Sequence, residues 1–190
     1  MSGDSEAAAS GRFQKSSTAR MGAAAAFAVL LAGSAMTGWH WRTHPTAFPS
    51  AGNGWGSESF PVGKTHYVAM VGHLEDAERV RIDRVTPVFM KNTARAEVRF
   101  LVCTIDPASG VGGVGLVGRR SFNKTCPEPV PAEGAWFEPD DSAHQDIVMA
   151  ITPRTDGAVN MSAIEITYTQ GWQHGTQVTG PSYEAPYRAP

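Results

Sequence analysis

Ala94-Arg-Ala-Glu-Val-Arg-Phe-Leu-Val-Cys103 alternates apolar and polar side chains with a period of two. Ala96, Val98, Phe100 and Val102 fall on one face, and Arg95, Glu97 and Arg99 on the other. A helix brings a side chain back to the same face every 3.6 residues and a strand every two, so this stretch predicts a strand with one face buried. The same period recurs on either side. Thr65–Val71 is rich in β-formers, and Val80–Met90 sets Val80 and Ile82 on alternate positions, with Pro87 marking an edge or a bulge. Gln145–Thr152 aligns Ile147, Met149 and Ile151. Val159–Thr169 opposes Ile164, Ile166 and Tyr168 to Glu165, Thr167 and Thr169. Turn-formers such as Pro153–Gly157 separate these runs, and the one helix-like stretch among them, Leu74–Glu78, is barely a turn long. The pattern predicts an all-β, antiparallel, immunoglobulin-like β-sandwich over residues 62–180.

The flanks read differently. Residues 181–190 (PSYEAPYRAP) are Pro-rich and read as a frayed, disordered tail. Residues 42–61 are rich in Pro, Gly and Ser, a linker composition. Upstream, Met21–Trp41 contains no Asp, Glu, Lys or Arg. As a helix it would be about 31 Å long, the thickness of a bilayer's hydrocarbon core. Arg12, Lys15 and Arg20 precede it, and Trp39 and Trp41 stand at its far end, as the positive-inside rule and interfacial aromatics require. This predicts one transmembrane helix at 21–41 in the cell membrane, a disordered cytoplasmic tail at 1–20, and an extracytoplasmic C-terminal domain. The segment is mostly Ala and Gly, and Gly33-Ser34-Ala35 resembles a cleavage site, so a signal peptide is the competing reading. Both readings put residues from about 43 onward outside.

Composition narrows the partners. The 190 residues carry a net charge of −2, with 18% charged residues, 20 Gly and 13 Pro. Residues 1–42 contribute +2 and the remainder −4. A near-neutral chain of this kind is neither a charged disordered protein nor a nucleic-acid binder held by phosphate contacts. Two cysteines rule out a disulfide-dense scaffold. In an oxidising exterior Cys103 and Cys126 pair, a link worth about 3 kcal/mol in the chain-entropy account; in a reducing interior they are free thiols.

Several local patterns invite a chemical reading. Gly110-Val-Gly-Gly-Val-Gly115 fits G-x-G-x-x-G, yet no helix is expected after it to hold a pyrophosphate, so it reads as a loop. His66, Met70 and His73 offer imidazole and thioether ligands suited to copper, although in a strand His73 points away from the other two, which favours scattered surface histidines. His40 and His44 are four apart, but Pro45 ends any helix there, and His144 and His174 have no ligand-spaced partner. Glu138, Asp140, Asp141 and Asp146 are dense enough to hold calcium but lack EF-hand spacing, which favours a solvated loop. Asn123-Lys-Thr125 and Asn160-Met-Ser162 are glycosylation sequons. No nucleophile-elbow or zinc-protease motif occurs. Trp55, Trp136 and Trp172 are candidate binding aromatics. For Trp172, within Gly171–Gly180, anchoring of the last strand in the core is the favoured role over an exposed patch.

Ile151-Thr-Pro-Arg154, Ile164-Glu-Ile-Thr-Tyr168, Gly171-Trp172, Gly175-Thr-Gln177 and Thr179-Gly180 together resemble the closing segment of uncharacterised, membrane-anchored actinobacterial proteins. Those proteins have one N-terminal span and an exported β-sandwich domain with a Cys pair. The resemblance implies location and architecture, and no activity. The expectation is therefore a membrane-anchored, non-enzymatic binding module without a cofactor. It would meet the bilayer through residues 21–41 and bind a protein or envelope partner, as an accessory subunit of a membrane or envelope assembly. The alternatives are a periplasmic-type copper-handling protein and an envelope hydrolase with a spatially assembled site.

Overall fold

The structure, a computed structural model, describes residues 33, 38–39, 47–49, 52–72, 78–106, 110–138 and 144–189. The chain divides into residues 1–40 and 41–190. Of the first unit only Gly33, Gly38 and Trp39 are described, all helical. The expected cytoplasmic tail, and nearly all of the expected span at 21–41, lie outside the described residues. Among those described, no helix is long and apolar enough to cross a membrane.

The second unit is mostly β, in two sheets. Its strands are β1 (Trp55–Gly56), β2 (Phe60–Pro61), β3 (His66–Val71), β4 (Val80–Asn92), β5 (Glu97–Ile105), β6 (Leu116–Gly118), β7 (Val130–Pro131), β8 (Trp136–Phe137), β9 (His144–Thr152), β10 (Gly157–Gln170), β11 (Gln173–Thr179) and β12 (Tyr183–Arg188). One helix, α1 (Arg119–Thr125), lies between β6 and β7. The larger sheet runs β1-β12-β10-β4-β8, with β11 also on β10 and β2 on β12; the smaller runs β6-β3-β9-β5-β7. The five runs expected from periodicity are strands, β3, β4, β5, β9 and β10, and they pair antiparallel. Val98, Phe100 and Val102 face the core between the sheets, as their alternation requires. Pro87 sits on a stretch of β4 that pairs only with β10, the one-sided kind of position in which a proline is tolerated.

Two flanking expectations are overturned. Residues 181–190 are not a frayed tail, since β12 pairs with β10 and buries Tyr183, Ala185 and Tyr187 while Glu184 and Arg188 face out. Period-two alternation was present in Tyr183-Glu-Ala-Pro-Tyr-Arg188, and its two aromatics outweigh its proline. Nor are residues 47–49 and 52–61, the described part of the expected linker, free of the domain. Phe48 is buried and packs edge-on against Tyr168 at 5.0 Å between ring centroids. The Ala47 N–H donates to the Tyr168 hydroxyl (2.9 Å), and Thr179 Oγ1 donates to the Pro49 carbonyl (2.5 Å). Trp55 and Phe60 then extend the edge of the larger sheet through parallel pairing with β12. Apolar side chains within a Pro/Gly-rich stretch gain enough from burial to offset the cost of ordering it.

One corner is fixed by close backbone packing. Gly157, at the start of β10, has φ 153°, and a Cβ there would lie 2.7 Å from Thr93 C and Ala94 N in the β4–β5 turn. The Ala94 carbonyl also accepts the N–H groups of Arg154 and Thr155, so the turn cannot withdraw without losing those bonds. Gly157→Ala is expected to cost about 2 kcal/mol, read as a lower urea midpoint with unchanged slope. An unchanged midpoint would show that the corner gives way freely.

Candidate functional site

The three candidate tryptophans have different surroundings. Trp55 is half-buried against the core and donates its indole N–H to the Ala69 carbonyl (3.0 Å), a structural role. Trp136, on edge strand β8, is 46% exposed, and the Arg79 guanidinium lies 3.9 Å from its ring centroid. Glu138 pairs with the same arginine at 3.3 Å and holds it over the ring. Trp172 is 56% exposed, so the expectation of core packing is corrected. The cause is the turn. Gln170 and Gln173 are registered partners, which makes Gly171-Trp172 a two-residue hairpin loop with positive φ (57°) at its first position only. A primed turn of this kind needs glycine first and leaves the second side chain at the tip.

Trp136 and Trp172 lie at the same end of the larger sheet. Trp136 is registered with Arg81, Arg81 with Thr169, and Thr169 with His174. This row spans four strands, about 14 Å at ordinary strand spacing, and the Trp172 turn lies just beyond it. Within the row, Thr169 Oγ1 donates to Asp83 Oδ2 (3.0 Å) and lies 3.1 Å from His174 Nδ1, which is 3.4 Å from the same carboxylate. Hydroxyl and carboxylate thus meet the same ring nitrogen. A nucleophile–base–orienter relay needs them on opposite nitrogens.

His66 is not a surface histidine; its burial, at 2% exposure, is a correction. It stacks on Phe60 (4.1 Å between centroids, 5° apart), and its Nε2 lies 2.6 Å from Tyr183 Oη and 3.1 Å from Tyr187 Oη. The two phenols are 2.7 Å apart. The arrangement that uses both phenolic protons has Tyr187 donating to Tyr183 and Tyr183 donating to Nε2, with the ring proton on Nδ1. Nδ1 itself is buried without a hydrogen-bond partner. Burial pushes the His66 pKa down to about 4, only partly opposed by the Lys64 backbone. Burial likewise raises Tyr183 to about 12, against a smaller opposing effect of its bond to Tyr187, and raises Tyr187 further. The cluster joins β3 of one sheet to β12 of the other as a neutral, fully internal network.

The copper grouping does not assemble. His66 and Met70 do face the same side, both buried, but four residues of strand separate them by about 13 Å, and Met70 belongs to the apolar core. His73 lies outside the described residues. The acidic stretch also disperses. Glu138 pairs with Arg79, and Asp146 is buried, accepting the Val114 N–H at 2.7 Å. Asp140 and Asp141 lie outside the described residues.

The Gly-rich run is followed by a helix after all, α1, which corrects the expectation that none follows. At seven residues, with no side-chain N-cap bond, α1 serves as a cover. Together with residues 113–115 it covers part of the outer face of the smaller sheet. Phe122 stacks on Tyr67 (3.8 Å, 3°), and Val114 enters a second apolar cluster with Cys103, Ile105 and Val148. Gly113 lets the loop pass close over Asp146 Oδ2, and the Gly115 carbonyl accepts the Ala69 N–H. Cys103 and Cys126 are disulfide-bonded, which ties the end of this cover to β5.

Sequence reasoning missed the His66–Tyr183–Tyr187 network because two of its members stood in the supposed tail. No protein-family model matches the chain, and neither a curated protein nor a solved structure matches it.

Proposed function

We propose that the chain is a non-enzymatic, extracytoplasmic binding domain. Its sandwich is of the immunoglobulin-like type and is held at the cell membrane by residues 21–41 as a single span, with the N-terminus in the cytoplasm. Its partner is a protein or another envelope component. The observation that carries this reading is the pair Trp136 and Trp172, both exposed at one end of the larger sheet. Arg79 is already laid over the first ring; Trp136 stands on a paired strand and Trp172 on a two-residue turn between paired strands, rather than on long loops. Large aromatics and arginine are the side chains that dominate binding energy at interfaces, and a rigid support reduces the entropy lost on docking. The Cys103–Cys126 disulfide supports an oxidising location.

The test is purification from solubilised membranes. A stoichiometric co-purifying component is expected with the unaltered chain. Trp136→Ala combined with Trp172→Ala should weaken its retention by about 2 kcal/mol or more. Because both side chains are exposed, the fold itself should lose less than about 1 kcal/mol. A single monodisperse monomer with nothing bound, or retention indifferent to both substitutions, would count decisively against the proposal.

A further inference from the structure

The outer face of the smaller sheet is only half covered by α1 and its loop, and the cover stops at the Tyr67–Phe122 stack. Beyond it, Tyr67, Ala150 and Arg99 are registered neighbours on β3, β9 and β5. The next row on that face pairs Thr152 with Glu97, and Thr65 Oγ1 lies 2.8 Å from Thr152 Oγ1. Alanine stands where its neighbours are tyrosine and arginine, so the sheet surface is hollow at that point. A cavity of about 330 Å³ results, with Arg119 of α1 and Arg154 on its walls.

The charge of this hollow runs against that of the domain. Residues from 43 onward carry −4, yet three arginines converge here on one acid. Glu97 is taken up by Arg154, at 2.5 Å. Among the described residues no carboxylate lies within ion-pair distance of Arg99 or Arg119. Arg99 feels the charge of Glu97 without pairing with it, and the two unpaired guanidinium groups, beside a hydroxyl pair, are complementary to an anion that also carries hydroxyl groups. Guanidinium forks match carboxylate or phosphate oxygens two at a time. Glu97 and the threonine hydroxyls can accept hydrogen bonds from the ligand's own hydroxyls. The volume is at the small end for ligand sites, about the size of one sugar ring.

We infer that the hollow bounded by Arg99, Arg119, Thr152 and Tyr67 binds a monosaccharide-sized anion, a sugar acid or sugar phosphate, through its carboxylate or phosphate group. This site lies on the opposite sheet from Trp136 and Trp172, so it stands or falls independently of the partner-binding proposal.

The experiment titrates the full chain, with arginine side chains labelled with ¹⁵N, using glucuronate, glucose 6-phosphate, inorganic phosphate and neutral glucose. The expected result is saturable movement of the Arg99 and Arg119 Nε–H signals with the two sugar anions. Phosphate should act more weakly and glucose not at all. Arg99→Ala and Arg119→Ala should each weaken binding about tenfold or more. Arg99→Lys should fall in between, keeping the charge and losing the fork, while Arg84→Ala on the other sheet should leave affinity unchanged. All four substitutions replace exposed side chains, and circular dichroism confirms that each variant is folded. No saturable change up to about 10 mM, binding of glucose equal to that of the anions, or binding indifferent to Arg99 and Arg119 would overturn the inference.

Discussion

Acidification from pH 7 to about 4 is expected to cost the folded domain about 3 kcal/mol through His66 alone. In the unfolded chain this imidazole takes a proton near pH 6.5, whereas burial among Phe60, Tyr183 and Tyr187 holds its folded pKa at about 4. Between these values the unfolded state binds more protons than the folded state. Stability is therefore full above about pH 6.5, falls by about 1.4 kcal/mol per pH unit below it, and levels off once both states are protonated. His66→Phe separates this effect from the titration of surface carboxylates. The ring stack on Phe60 is kept and the Tyr183–Tyr187 bond survives, but one phenolic proton loses its acceptor, at about 1–2 kcal/mol. The variant should be the less stable protein at pH 7 and equal or better at pH 4. Urea midpoints across that range decide it, and two parallel stability curves would show that His66 is not buried neutral.

The second large effect is redox. Replacing Cys103 and Cys126 with serine, or reducing the bond, is expected to cost about 3 kcal/mol, given their sequence separation of 23 residues. That corresponds to about 10 °C in the melting temperature of a domain of this size. The loss should be uneven. With seven residues, no acid in its first turn and no side-chain cap, α1 has little stability of its own. It depends on Phe122 against Tyr67, on Val114, and on the crosslink to β5. Hydrogen exchange should therefore rise first at residues 113–126, while β5 and β9 stay protected. A melting temperature unchanged by reductant, or uniform loss of protection across the sandwich, would contradict this account. Phe122 and Arg119 both belong to the cover, so the reduced protein should also lose the hollow beside Arg99.

Much of the framework was legible beforehand. Ala96, Val98, Phe100 and Val102 point inward as their alternation demands, and the five periodic runs are β3, β4, β5, β9 and β10. The candidate sites were less legible. Trp172 has the composition of a core anchor, and only the two-residue turn from Gln170 to Gln173 places it at a tip. His66 looked like one of several scattered histidines because its partners, Tyr183 and Tyr187, stood among prolines more than a hundred residues later.

From its residues alone this chain is committed to alternating strands, to the inward face of each, and to the positions of several turns. These follow from two local facts, the two-residue repeat of an extended backbone and the conformational limits of glycine and proline. Tertiary structure decided which strands became neighbours. It also decided that Trp55–Gly56, Phe60–Pro61 and Tyr183–Arg188 complete the larger sheet, and that Arg99 and Arg119 share one hollow. Those outcomes depend on burial shared between residues far apart in the chain, and no local period encodes which partner a buried face will meet.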